Sequence, residues 1–343
     1  MLGLAGRSGR LVEDRRPCYN RRVDPVTHTL VGVGLGNAFF RRRIGREAVT
    51  ILAVASNLPD IDALVHFTGD PAAIVLRRTF GHSLFLIPLW AFLLSLIFKR
   101  FYPRIPLSTI WGLSLAGAYV HLFFDLVNSF GVVLLWPFSD WRPELGIIFI
   151  IDLTLTGLLA APLILCVIRR LRTHLVLISR ISMACVAGYI LFCGAGRAVA
   201  LGNLVEEASR LGIRPDFQYV FPEPLGPHRW KGVLREGNQY SVFLIHVLEN
   251  SVEKVDEVHT ERGDPAVEKA RKTALARRLE WFFKAPVWTV ETNPGGDNGA
   301  GTVMVFDLRF RSVVLDRKVP FRFEFRLENP DVARPGHSST TLD

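Results

Sequence analysis

The chain has 343 residues, of which 49% are apolar, with a mean hydropathy of +0.26, a formal charge of +9 and a pI near 9.7. That length accommodates two domains. The 4 cysteines fall at no spacing that makes a disulfide framework or a zinc knuckle, and the basic charge comes with no basic, aromatic-interleaved motif, which argues against nucleic acid as a partner.

Taken from the start, residues 1–22, "MLGLAGRSGRLVEDRRPCYNRR", form a basic, unpatterned leader without the apolar core of a signal peptide. Its composition predicts disorder, and a true start at Val23 is the expectation. Residues 23–205 read as a membrane domain. Two short apolar segments come first, 26–40 with His28 and 47–58 ending beside Asn57. They are short for full spans, which predicts partial or re-entrant helices packed against others. Gly32, Gly34 and Gly36 lie in the first of them; their spacing does not fit a nucleotide loop, and small residues allow close helix approach. "SNLPDIDALVH" follows, with Asp60 and Asp62 next to apolar runs. Longer apolar segments at 82–98, 107–136, 146–168 and 181–205 approach or exceed the length of a membrane helix. They carry His82 at the first one's opening, His121 and Asp125 in the second, and Asp152 in the third.

Residues 206–335 read as a small soluble α+β or β-rich domain. "WKGVLREGNQYSVFLIHVL" alternates like two strands about a turn, "VEKARKTALARRLEWFFKAP" has helical spacing, and "APVWTVET" is a strand. "GTVMVFDLRFRSVVLDRKVPFRFEFRLEN" predicts two antiparallel strands about "LDRKVP", and "NPGGDNGAG" a loop. His228, His246 and His259 show no ligand spacing, and residues 336–343 form a tail expected to be disordered.

Arginine and lysine set orientation in membrane proteins. "RRRIGRE" at 41–47 and the basic loops 99–106 and 169–180 belong on the cytoplasmic side. His28, Asp60, Asp62, His82, His121, Asp125 and Asp152 then fall at similar depth toward the outer face, and the last helix exits outward, which makes the C-terminal domain extracytoplasmic. This agreement is informative because the orientation used only Arg and Lys.

Ionisable groups within apolar surroundings cost free energy unless they are compensated. A divalent cation compensates carboxylates, and mixed His and carboxylate ligation suits zinc first, with manganese or iron as alternatives. His121 and Asp125 share one helix face at i, i+4, and the whole set is large enough for one ion or two. Other readings stand beside this one. Asp62 caps a helix, His121 and Asp125 form a metal-free pair, Asp152 pairs with Arg142, or the buried carboxylates carry protons in an ion-coupled transporter.

"DPVTHTLVGVGLG", "ASNLPDIDAL", "FGHSLF", "HLFFDLVNSFGVVLLWPFS" and "DLTLT", in that order, resemble the YdjM-like family of membrane-bound, metal-dependent hydrolases. The extension with "FPEPLGPHRWKGVL" is similar to the YfhP-like branch, in which a soluble domain follows the membrane part. The resemblance implies a mainly α, multi-pass helical bundle in the plasma (inner) membrane. It also implies a His/Asp metal centre on His28, Asp60, Asp62, His82, His121, Asp125 and Asp152, and hydrolase chemistry. Asp60 or Asp125 is then the general base. Location at the lipid–water boundary predicts an ester or phosphoester substrate of lipid or envelope origin. A non-catalytic, metal-stabilised membrane protein is the remaining alternative. The sequence leaves the oligomeric state open.

Overall fold

A computed structural model describes residues 10–13, 25–68, 73–224, 226–292, 301–315 and 322–328. The chain divides into two compact units: 20–257 with 312–317, and 1–19, 258–311 and 318–343.

The larger unit begins with α1 (Pro25–Leu35), extended by a single π turn to Phe40, and α2 (Arg46–Ala55). Gly45, at φ +110°, turns the chain between them, a conformation open to glycine and few others. A 3₁₀ run, Leu58–Thr68, follows behind Pro59. Next come α3 (Ala73–Leu76), a short turn Phe80–His82, α4 (Ile87–Phe101), α5 (Leu107–Val127), α6 (Leu153–Leu165) and α7 (Leu175–Arg210). Arg46–Val65, Leu107–Val127 and Arg169–Arg210 are long and apolar enough to cross a membrane, whereas Leu153–Leu165 is a shorter apolar helix. The lengths therefore differ from the sequence reading. The short segment at 47–58 belongs to a spanning-length helical run. The segments at 82–98 and 146–168 give helices of only 15 and 13 residues, Ile87–Phe101 and Leu153–Leu165, because Ser83 and Asp152 stand in extended conformation ahead of them.

Lipid is as apolar as leucine, so close backbone approach rather than water exclusion holds such helices together. A Cβ added at Gly36 would sit 2.6 Å from Val49 Cα, and one at Gly117 2.7 Å from Ala55 Cβ. α2, α4 and α5 share a core of Ala48, Ile51, Leu52, Phe98, Ile110 and Leu113. Val31, Phe124, Leu155, Leu159, Val186 and Cys193 join α1, α5, α6 and α7.

Arg180 Nε donates to Ala38 O at 2.9 Å, which ties the start of α7 to the far end of α1. Tyr189 donates to Asp152 at 2.7 Å, so the middle of α7 is level with the start of α6. At 1.5 Å per residue α7 is about 54 Å long, well beyond the roughly 30 Å hydrocarbon thickness. Its last turns carry an antiparallel sheet, β2 (Phe217–Pro222), β3 (Arg229–Glu236), β4 (Gln239–His246) and β5 (Ser251–His259), in that order. Ala200, Leu204 and Ala208 of α7 pack against Val220, Trp230, Leu234 and Phe243. Burial of each large side chain there stabilises the contact by about 1.5–3 kcal/mol. The β3–β4 hairpin turns at Gly237, as "REGN" predicts. α7 and this sheet thus form one packed body across residue 205, where the hydropathy changes.

The smaller unit holds β1 (Arg10–Glu13), α8 (Pro265–Arg271), α9 (Ala274–Phe282), β6 (Pro286–Thr292), β7 (Gly301–Asp307) and β8 (Arg322–Glu328). Its antiparallel sheet runs β1-β8-β7-β6. Arg10–Glu13, within the leader, is a strand paired antiparallel with β8. The rest of the leader and the tail 336–343 lie outside the described residues, as do 293–300 of "NPGGDNGAG" and most of "LDRKVP". The single predicted helix is two, because Thr273 accepts from Ala276 N and caps a new start.

Candidate metal centre

The last third of α5 presents His121 and Asp125 on one face, both buried. α1 brings His28, the 3₁₀ run brings Asp60 and Asp62, and the turn before α4 brings His82. In a three-residue-per-turn helix Asp60 and Asp62 point about 120° apart, so they meet different partners. Gly81 allows the His82 turn to lie directly on the 3₁₀ run, because a Cβ there would collide with Pro59 O.

His82 Nε2 lies 3.1 Å from both His121 Nε2 and Asp125 Oδ2. His121 Nε2 is 3.4 Å from the same carboxylate oxygen. Each ring's other nitrogen is committed. His82 Nδ1 donates to Asp62 Oδ2 at 2.8 Å, and His121 Nδ1 donates to the Ser56 carbonyl at 2.7 Å. Both Nε2 atoms therefore turn their lone pairs toward one point beside a carboxylate, an arrangement that requires a positive charge there, a proton or a metal ion. Donors bound at about 2.1 Å around a tetrahedral ion stand about 3.4 Å apart, and this triangle is within a few tenths of that. Carboxylate and carbonyl acceptors behind ligand histidines are the usual outer support of a metal site. The donor set fits a divalent ion.

His28 stacks on His121 with ring centroids 3.7 Å apart, and its Nε2 is 3.4 Å from Asp125 Oδ1. His28, Asp60 and His121 form a second ligand-competent group beside His82, His121 and Asp125. Since His121 Nδ1 is engaged with Ser56, His121 offers Nε2 alone to both groups, which makes them parts of one centre.

The structure separates two of the sequence candidates from the others. Asp62 faces His82 Nδ1 and the Thr79 amide at 2.9 Å, behind the ring instead of at the convergence point. Asp152 caps α6, accepting from Leu155 N at 2.8 Å and from the Tyr189 hydroxyl. It belongs to neither ligand group. The sequence reading missed several supports. Arg78 donates to Asp125 Oδ1 at 2.8 Å and to Asn128 Oδ1 at 3.0 Å, from a backbone held at φ +60°. Arg77 pairs with Asp60 at 3.1 Å. Ser56 joins two elements, its hydroxyl donating to His28 O at 2.7 Å and its carbonyl receiving His121. Arg77 and Arg78 carried a usable signal: they sit on the predicted outer side, against the orientation rule, and so call for acidic partners.

A helical bundle with spanning-length apolar helices and a buried His/Asp pocket defines an integral membrane protein with a candidate metal centre. Residues 23–198, about half the chain, match the family described as YdjM inner membrane protein, and the chain belongs to that family. It is similar to the uncharacterized protein YfhP of Bacillus subtilis (strain 168), 30% identical over 137 residues, covering 38% of this chain and 42% of that protein. The match thus spans less than half of that relative's length. No solved structure matches the chain.

Proposed function

We propose that the protein is a membrane-embedded, metal-dependent hydrolase with one divalent ion, zinc first among the candidates. The observation that carries this reading is the triangle of His82 Nε2, His121 Nε2 and Asp125 Oδ2 with both Nδ1 atoms committed elsewhere. His82, His121 and Asp125 would hold the ion, and His28 flanks it. The ion would supply Lewis-acid activation of water and of an ester or phosphoester. Arg78, His28, His82 and His121 all press on Asp125, which suits a ligand better than a base. Asp60, beside His28 and His121 and paired with Arg77, is the carboxylate placed to take the proton from the attacking water. Asp62 holds His82 in register. With the basic segments 99–106 and 169–180 on the cytoplasmic side, the centre opens toward the outer leaflet and the β2–β5 sheet is extracytoplasmic. That location favours a lipid or envelope-derived substrate.

The test is turnover of phospholipids and carboxyl esters by purified protein in nanodiscs loaded with zinc or manganese. Wild-type hydrolysis is expected, with a loss of about 10²–10⁴-fold in Asp60→Asn, the range of a general base, and complete loss in His121→Ala. Full metal loading without turnover of any ester would leave a metal-stabilised, non-catalytic protein. Equal turnover by His121→Ala would remove the centre from the chemistry.

A further inference from the structure

The end of the bundle that holds the cluster carries exposed aromatic side chains that the metal centre does not use. Phe138 is 79% exposed, Trp141 58% and Phe85 56%. Phe85 and Phe138 meet edge to face at 5.1 Å. Adjacent aromatic rings offered to solvent mark a surface with a partner. Continuity identifies it. Phe85 heads a stripe of exposed Leu89, Phe92, Leu93 and Leu96 at helical spacing along α4. Such a stripe on a helix of a membrane domain faces lipid, and the aromatic patch prolongs it past the helix start. Between α5 and α6 the backbone is not helical. Irregular backbone is not tolerated against hydrocarbon, whereas the headgroup layer accepts it and favours tryptophan.

The patch is fastened to the centre. Ser83, the residue after His82, donates to Trp136 O at 2.6 Å, and Leu84 N donates to Leu134 O at 2.9 Å. Val133 N donates to Arg78 O at 2.9 Å, and Arg142 Nη1 donates to Arg77 O at 3.3 Å. The segment carrying Phe138 and Trp141 is thereby bonded to the same turn that supplies His82, Arg77 and Arg78.

We propose that residues 83–86 and 134–141 form a wedge seated in the lipid headgroup layer, which sets the centre at that depth and presents it to a molecule lying in the same leaflet. The substrate class is then a bilayer lipid with its ester at headgroup level; this consequence rests on the hydrolase reading, whereas the wedge itself does not.

The experiment compares tryptophan emission of the full-length protein and of Trp141→Phe in nanodiscs. The lipids are brominated near the glycerol backbone or near the chain end, and acrylamide is the aqueous quencher. The expected result is loss of the Trp141 contribution with shallow bromines, less loss with deep bromines and little with acrylamide. Free quenching by acrylamide without a bromolipid effect would put the patch in water and overturn the proposal. Strongest quenching by deep bromines would overturn the headgroup placement, and quenching by neither agent would assign the patch to a protein partner. Should Trp141→Phe fail to fold, Phe138→Trp gives the same comparison through its gained emission. Metal content, measured on the same samples, separates the two readings: either can fail while the other stands.

Discussion

Asp62 and Asp152 look alike in the sequence, each an aspartate beside an apolar run, yet one braces a histidine and the other caps a helix. A carboxylate behind a ligand imidazole fixes its tautomer and orientation, and loss of such a partner costs about 10–100-fold in metal affinity. Asp62→Asn is therefore expected to weaken metal binding by that factor in a competitive chelator titration. Asp152→Asn, bonded to Leu155 and Tyr189 instead, leaves the affinity at the wild-type value; an equal loss in both would return Asp152 to the centre. The candidate donors stood out in the sequence because imidazole and carboxylate embedded in apolar runs demand compensation. The split between donor and support was not, since Asp62 and Asp60 differ only in where a 3₁₀ turn points them. Ser56 was equally hidden, because its part in the site is played by a backbone carbonyl.

α5 brings His121 and Asp125 into position by lying close on α2. Gly117 stands one turn before His121, and a Cβ there meets Ala55 and the Ser56 amide at 2.7 and 3.0 Å. Since Ser56 also receives His121, a larger side chain pushes apart the two elements that orient that ring. Gly117→Val is predicted to destabilise by about 1–3 kcal/mol, the cost of overpacking, and to weaken metal binding in the protein that remains folded. Gly112, on the same helix with nothing within 4 Å of an added Cβ, is the control: Gly112→Val should change neither quantity. Thermal unfolding and metal titration of the two variants decide between them. At this scale hydropathy located the bodies of α5 and α7 but not their ends: the apolar run 107–136 continues past α5, which stops at Val127, and 181–205 falls short of α7 on both sides. It did not reveal the 3₁₀ run after α2, the extended start of the α6 segment or the break at Thr273, each set by local turn and capping chemistry that a hydropathy window averages away.

Across the whole molecule, the centre and the β2–β5 sheet lie at the same end of the larger unit. Glu144, in the segment between α5 and α6, accepts from the Tyr219 hydroxyl of β2 at 2.8 Å. Burial and the Glu144 carboxylate push that phenol above its ordinary range. The change of composition at residue 205 marked where apolar sequence ends, but α7 continues and the sheet is built on it, so hydropathy alone could not place the boundary of the packed unit. The proposed orientation has a direct consequence. With an impermeant maleimide on spheroplasts, Glu253→Cys should label above the wild-type background, and Arg104→Cys only after permeabilisation. The opposite pattern would invert the topology and put the centre on the cytoplasmic side.

The proposed chemistry requires a metal ion at the convergence point of His82, His121 and Asp125. Elemental analysis of the purified protein, after loading and removal of free metal, tests it most directly. About one divalent ion per chain is expected, the stoichiometry of a single three-residue donor set with a position left for water, with only residual metal in His121→Ala and Asp125→Ala. Folded variants that retain the wild-type metal content, or a wild-type protein that takes up none, would contradict it.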